Sequence, residues 1–262
     1  MSIIRHSHGR SSERRIIADY SDLDFILRYR VPSPSLRILD CGCEDGGRSL
    51  ALAFRGYKNV TGIDRSANNI AAARQRASKR AAEVRFLQGE PRATPFADRA
   101  FDEVLLLGKM FGHGEAARAD VELLIEMQRI LTPEGMLWVG VADGDWIREN
   151  YEQENIETLP QGFIHRRRRL IESGNCLETH VLISDETLGV STDQTFREWL
   201  YGKKQMTTLL HQLGFEAISY HTSAPSRWVG APVRVSTPRF LVHCLAPYRR
   251  HNALRVATAG QN

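Results

Sequence analysis

Three carboxylates, Asp40, Glu44 and Asp45, crowd one short glycine-rich loop, LDCGCEDGGRS at 39–49. A strand ending in an acid and followed by glycines is a common seat for a nucleotide, and the residue types restrict which one. The dinucleotide fingerprint G-x-G-x-x-G, counted from Gly42, needs glycine where Glu44 stands. The P-loop pattern G-x-x-x-x-G-K-[ST] runs from Gly42 to Gly47 and Ser49 but meets Arg48 where lysine supplies a point charge. Both patterns also set a polyphosphate beside three carboxylates, a repulsion of several kcal/mol (order of magnitude) at low effective dielectric. The loop suits a nucleotide that is cationic where a dinucleotide is anionic.

The elements that must hold this loop alternate along the chain. LRILD (36–40), NVTGID (59–64), VRFLQ (84–88), FDEVLLL (101–107) and MLWVGVA (136–142) read as strands. Helices are expected from Arg48 to Phe54, from Ala67 to about Ala82 with Ser66 as N-cap, and from Val121 to Leu131. Thr132 to Gly135 reads as a turn. Such alternation predicts an α/β, Rossmann-like, mostly parallel sheet with helices on both faces. The rhythm changes after Trp146. FIHRRRRLIE, a turn at Ser173-Gly174-Asn175, CLETHVLISD and GVSTDQTFREW read as an antiparallel β insertion. KKQMTTLLHQL then forms a helix ending at Gly214, and FEAISYH (215–221) and RFLVHCL (239–245) close the sheet at seven strands, with a proline-containing loop between them. Residues 1–35 read as an N-terminal arm with one or two helices over 14–30, and 36–262 as one domain with a β-rich lid at 151–200.

S-adenosylmethionine (SAM) carries a sulfonium, an ammonium, one carboxylate and an adenosine, and no phosphate. A strand-end acid beside a helix N-terminus suits it: the acid, Asp40, faces the ammonium and the helix amides face the carboxylate. Here the sequence resembles a known family. LDCGCEDG (39–46) is similar to motif I, L-D-x-G-C-G-x-G, of class I SAM-dependent methyltransferases, matching at Asp40, Gly42, Cys43 and Gly46 and departing at Glu44. VTGIDRS (60–66) resembles motif II, FLQGEPRATPFADRAFDEV (86–104) the segment around "GDA…LPF…FD.V", and IEMQRILTPEGMLWVGV (125–141) the stretch "R-x-L-x-P-G-G". The resemblance implies that Asp64 takes both ribose hydroxyls and that Glu90 stands near the adenine amine, with Arg65, Pro91 and Gly108 beside the cofactor. GKMFGHGE (108–115) resembles a segment of sugar N-methyltransferases and glycine N-methyltransferase-like enzymes in which a histidine lies near the reacting amine, which places His113 there. Gly112 and Gly114 would let this loop approach the ligand, and a histidine of near-neutral pKa could take the acceptor's proton. The plainer reading is a loop histidine between flexible glycines. Trp146, Tyr151 and Tyr201 read either as walls of the acceptor site or as packing residues.

Composition narrows the class. With 42% apolar and 25% charged residues the chain is of ordinary globular type, and no apolar run approaches the ~20 residues of a membrane span. Its net charge of +4 is misleading: residues 1–15 and 249–262 hold seven arginines and one glutamate, so the body at 16–248 carries −2. A nucleic-acid binder keeps its basic surface on the folded body, and the four arginines at 166–169 lie on a strand whose alternation sends them to both faces. Four cysteines without a CxxC pair suggest neither zinc nor disulfides, and a reducing cytoplasm. The expectation is a cytoplasmic, metal-independent SAM-dependent methyltransferase acting at N or O of a small metabolite, with homodimerisation open. The alternatives are an RNA methyltransferase and a non-catalytic SAM-fold interaction protein.

Overall fold

The computed structural model describes residues 22–29, 33–185, 189–222 and 238–248. The two basic tails and most of the proline-containing loop before β11 lie outside the described residues. Helix α1 spans residues 22–29. There follow β1 (Arg37–Cys41), α2 (Gly47–Phe54), β2 (Asn59–Asp64), α3 (Ala67–Lys79), β3 (Arg85–Gln88), β4 (Phe101–Leu106), α4 (Ala117–Ile130) and β5 (Leu131–Ala142). The chain continues through α5 (Gly144–Asn150), the insertion strands β6 (Glu154–Leu159), β7 (Gly162–Ile171), β8 (Cys176–Asp185) and β9 (Gly189–Trp199), then α6 (Lys203–Gln212), β10 (Glu216–Thr222) and β11 (Arg239–Leu245).

Seven strands form one sheet in the order β10-β11-β5-β4-β1-β2-β3, in which only β11 runs antiparallel to its neighbours. The expected α/β architecture is therefore the observed one. Its strands are apolar on both sides because helices cover both faces. On one face Leu23 and Ile26 of α1 and Leu52 of α2 pack with Ile38, Leu105 and Trp138. On the other, Leu124 and Met127 of α4 and Met206 and Leu210 of α6 pack with Leu39, Leu106 and Val139. The expected cap of α3 is formed: Ser66 Oγ accepts the Asn69 N–H at 3.2 Å, a contact worth about 1 kcal/mol.

The turn expected at 132–135 lies within β5 as a bulge. Phe101 pairs with Leu131 but Glu103 with Met136, and Glu134 takes the left-handed conformation at φ 60° to absorb the excess.

The insertion is a second, four-stranded antiparallel sheet in the order β6-β7-β8-β9. Its first strand escaped the sequence reading. Its root is apolar: Ile147, Leu177 and Leu200 are buried together, with Trp146, Tyr151 and Leu170 against them. The β7 arginines divide between faces as their alternation requires, and three of them meet acids of the same sheet: Arg166 with Glu157 at 3.0 Å, Arg167 with Glu154 at 3.4 Å and Arg169 with Glu178 at 2.6 Å.

Candidate active site

The parallel strands β1, β2, β3 and β4 end at one edge of the sheet, and their following loops enclose a cleft of about 280 Å³. It is lined by Gly42 and Glu44 after β1, Asp64, Arg65 and Ser66 at and after β2, Asn69 on α3, Pro91 after β3, and Leu107, Lys109 and Met110 after β4. Ligands of open α/β sheets collect at this carboxyl edge. A larger, more open cleft of about 730 Å³ lies at the opposite edge, around the strand starts Arg37, Asn59, Arg85 and Phe101. Neither the glycine-rich loop nor Asp64 is part of its lining.

Asp64 is the best-placed acid. It ends β2 nearly buried and is fixed from three sides. Oδ2 accepts the Glu44 backbone N–H at 3.0 Å, and Oδ1 accepts the Ser66 N–H at 2.8 Å and the Asn69 side-chain N–H at 3.1 Å. A carboxylate offers about four lone-pair sites, so Oδ2 keeps capacity for one more donor, while a contact through Oδ1 has to compete with Asn69. Glu44 makes its bond to Asp64 by adopting φ 49°, the conformation that glycine would supply at that position without strain.

Asp40 corrects the sequence reading. It is fully buried beneath the loop: Arg48 Nε donates to Oδ1 at 3.1 Å and Ser49 Oγ donates to Oδ2 at 2.7 Å. Arg48 also donates to the Gly42 carbonyl at 2.8 Å. Asp40 thus ties β1 to α2 and lies outside the cleft lining; of the three loop carboxylates, Glu44 is the one that lines the cleft. Cys43 is buried in an apolar cluster with Phe86 and Ala73, and a Cβ on Gly46 would strike those same two residues, so both matches to the glycine motif serve packing. Gly42 lines the cleft and makes room for the Met110 side chain, with which a Cβ there would collide.

Glu90 lies outside the cleft lining and pairs at the surface with Arg92 at 3.2 Å, while its neighbour Pro91 does line the cleft. Arg65 lines it as well. Gly108, at φ 73°, turns the chain out of β4 and offers its carbonyl to Arg239 Nη2 at 2.6 Å.

The loop from Lys109 to Glu115 is held from two directions. Asp120 of α4 is buried; it accepts the Gly112 N–H at 2.9 Å and the Tyr201 hydroxyl proton at 2.9 Å. From the insertion, the Trp199 N–H donates to the Gly112 carbonyl at 2.7 Å and its indole N–H to the Gly114 carbonyl at 3.1 Å. A Cβ on Gly112 would lie 2.9 Å from the Trp199 carbonyl oxygen. The glycine expected to admit a ligand therefore admits β9. Tyr201, expected as a substrate wall, packs against Phe111 with the rings tilted by 46° and binds Asp120, and Trp146 and Tyr151 pack at the root of the insertion.

His113 reaches this edge with its side chain one-quarter exposed, and its Nε2 lies 3.5 Å from Glu198 Oε1 of β9. Its pKa is not near neutrality: burial, then the charges of Lys109 and Arg239, push it down to about 4. Burial likewise pushes the Glu198 carboxyl up, against the opposing pull of Arg239 and Lys109. Sequence reasoning missed Glu198, Lys109 and Met110. Lys109 and Met110 sat in a segment already singled out, and no local pattern marks Glu198.

The cleft fits an adenosine-bearing zwitterion better than a polyphosphate. It sets one well-held carboxylate at the end of β2, a second at Glu44 and two cations, Arg65 and Lys109, around an opening where Gly42 makes room for the Met110 side chain.

Comparison with known proteins points to a methyltransferase domain. Residues 38–135 match the family model described as a methyltransferase domain. The chain is 31% identical over 134 residues to a putative methyltransferase, YqeM, of Bacillus subtilis, covering 48% of this chain and 53% of that protein. It is 38% identical over 104 residues to the demethylmenaquinone methyltransferase of Thermus thermophilus, covering 39% and 46%. The chain thus spans about half the length of the curated relatives it matches. In three dimensions it is similar to a SAM-dependent methyltransferase from Clostridium acetobutylicum (TM-score 0.67, 13% identity, 90% of this chain and 98% of that one). It is also similar to the sugar N-methyltransferase KedS8 from Streptoalloteichus (TM-score 0.60, 19% identity, 94% and 97%). At such identities the structural likeness speaks for the fold.

Proposed function

We propose that residues 38–135, which match the model of a methyltransferase domain, act as a class I SAM-dependent methyltransferase domain, and that the protein methylates an N or O atom of a small molecule held between this cleft and the β insertion. The observation that carries the proposal is the junction at the carboxyl edge of the sheet. There the loop after β4 both lines the cleft, through Lys109 and Met110, and presents His113 to β9 of the insertion.

Asp64 would hold the ribose, chiefly through Oδ2, and Glu44 and Lys109 would face the charged methionine end. Bound there, SAM supplies an electrophilic methyl group that needs no metal for activation. The chain's own contribution is then alignment and exclusion of water. The insertion covers the acceptor side, and its anchoring to the loop at Gly112 and Gly114 keeps the acceptor wall in register with the cleft. At neutral pH His113 is neutral, so it can accept a hydrogen bond from an acceptor N–H or O–H and receive the proton. The pairing of the β7 arginines with acids of their own sheet supports a small acceptor over a polynucleotide.

The test is a screen of metabolite pools with isotopically labelled SAM, read by mass spectrometry, followed by the His113→Ala variant on the acceptor found. The proposal expects SAM affinity within about threefold of wild type and kcat lower by ~10²–10⁴. Full turnover by the variant would remove His113 from the reaction. Labelling confined to RNA would refute the small-molecule reading.

A further inference from the structure

The loop after β4 and the end of β9 come from distant parts of the sequence, yet they form one unit. Trp199 binds the carbonyls of Gly112 and Gly114 through its backbone and its indole, and Asp120 binds the Gly112 N–H from below. These bonds flank His113 on both sides. The residue before Trp199 is Glu198, whose carboxylate comes 3.5 Å from His113 Nε2. That separation suits an ion pair and is longer than a well-formed hydrogen bond, as is common for catalytic contacts before ligands bind. The two side chains are 25% and 27% exposed. They remain partly accessible, in contrast to Asp40, which is sealed at 0%.

We infer that Glu198 is the positioning residue for His113: it holds the Nε2–H tautomer, turns Nδ1 toward the acceptor, and balances the imidazolium once the acceptor's proton arrives. The inference rests on the reading of His113 as the group that receives that proton. Left to burial and to the two neighbouring cations, Lys109 and Arg239, the imidazolium is disfavoured and His113 is a poor proton acceptor. A carboxylate on Nε2 opposes all three effects. The same two cations favour the ionised form of Glu198 against its burial, so the charges that oppose a proton on His113 also hold its counter-charge in place. The proton balance closes. The acceptor's N–H or O–H breaks, Nδ1–H forms, and the freed electron pair stays on the acceptor. Nε2–H remains with Glu198 throughout, and solvent later removes the added proton. The insertion is then part of the reaction centre as well as its cover.

The test needs no acceptor. Nitrogen-15 NMR of the full chain with labelled histidine, saturated with S-adenosylhomocysteine, reports the tautomer and titration midpoint of His113. Wild type should show Nε2–H, and Glu198→Gln, which keeps the shape and loses the charge, should lower the midpoint by about one pH unit or more. Glu198→Asp should fall between them, and serves as the readout if the glutamine variant does not fold. An Nδ1–H tautomer in wild type, or a midpoint unmoved in the variants, overturns the inference. Failure of the proton-acceptor reading looks different: it is full turnover by His113→Ala, whatever the titration shows.

Discussion

Asp64 and Asp40 are both strand-end acids, and the structure gives them opposite tasks. Asp64 is fixed by three N–H donors with room on Oδ2, so Asp64→Ala should weaken SAM binding by about 1.5–3 kcal/mol, the range for a hydrogen bond to a charged group. Glu90→Ala, which removes only a surface partner of Arg92, should change affinity less than about twofold; calorimetry on both variants separates them. Asp40 belongs to stability. Its carboxylate and Arg48 form a buried pair, and Arg48→Met would leave that carboxylate without its counter-charge, at a cost of about 3–5 kcal/mol measurable by denaturant unfolding. The sequence distinguished these acids only in part. Motif spacing marked both, but nothing in LDCGCEDGGRS shows that Arg48 folds back beneath its own loop.

Strands and helices of the sheet were legible because their period and punctuation are local. β2, β9 and β11 span the residues read from sequence, and α3 begins at its predicted cap. What was not legible is docking between elements far apart in the chain. Glu198 meets His113, and Tyr201 meets Asp120, only once β9 closes on the loop after β4. The same closure gives two aromatics flanking the insertion, Trp146 and Tyr151, a packing place at its apolar root. The latch at Asp120 makes a prediction at this scale. Burial raises its pKa from 3.8 to about 6, although the bonds from Gly112 and Tyr201 pull it down. Between those values the unfolded chain gives up the proton more readily than the folded one. Asp120's contribution is therefore fully present below about pH 4 and declines as pH rises to about 6, by up to ~3 kcal/mol. Asp120→Asn should flatten this decline in urea midpoints measured at pH 4, 5 and 7. An unchanged pH dependence would show that Asp120 does not titrate in this window.

At the scale of the whole molecule, charge and topology together choose the ligand. The basic surplus sits in residues 1–15 and 249–262, while the body carries −2. Deleting residues 1–13 and 249–262 should therefore leave SAM affinity nearly intact and remove most non-specific binding to RNA, seen as loss of the steep salt dependence. Tight, salt-sensitive RNA binding by the truncated protein would restore a polynucleotide substrate. The carboxyl edge of the sheet presents Glu44 and Asp64 where a dinucleotide or nucleoside triphosphate would bring phosphates. The most direct measurement is calorimetric titration of the full chain with SAM, S-adenosylhomocysteine, NAD and ATP, repeated with Asp64→Ala. The account predicts affinity on the order of micromolar for the first two ligands, reduced roughly 10- to 150-fold in the variant, and far weaker binding of NAD and ATP. Tight binding of NAD or ATP with no heat from SAM would contradict it.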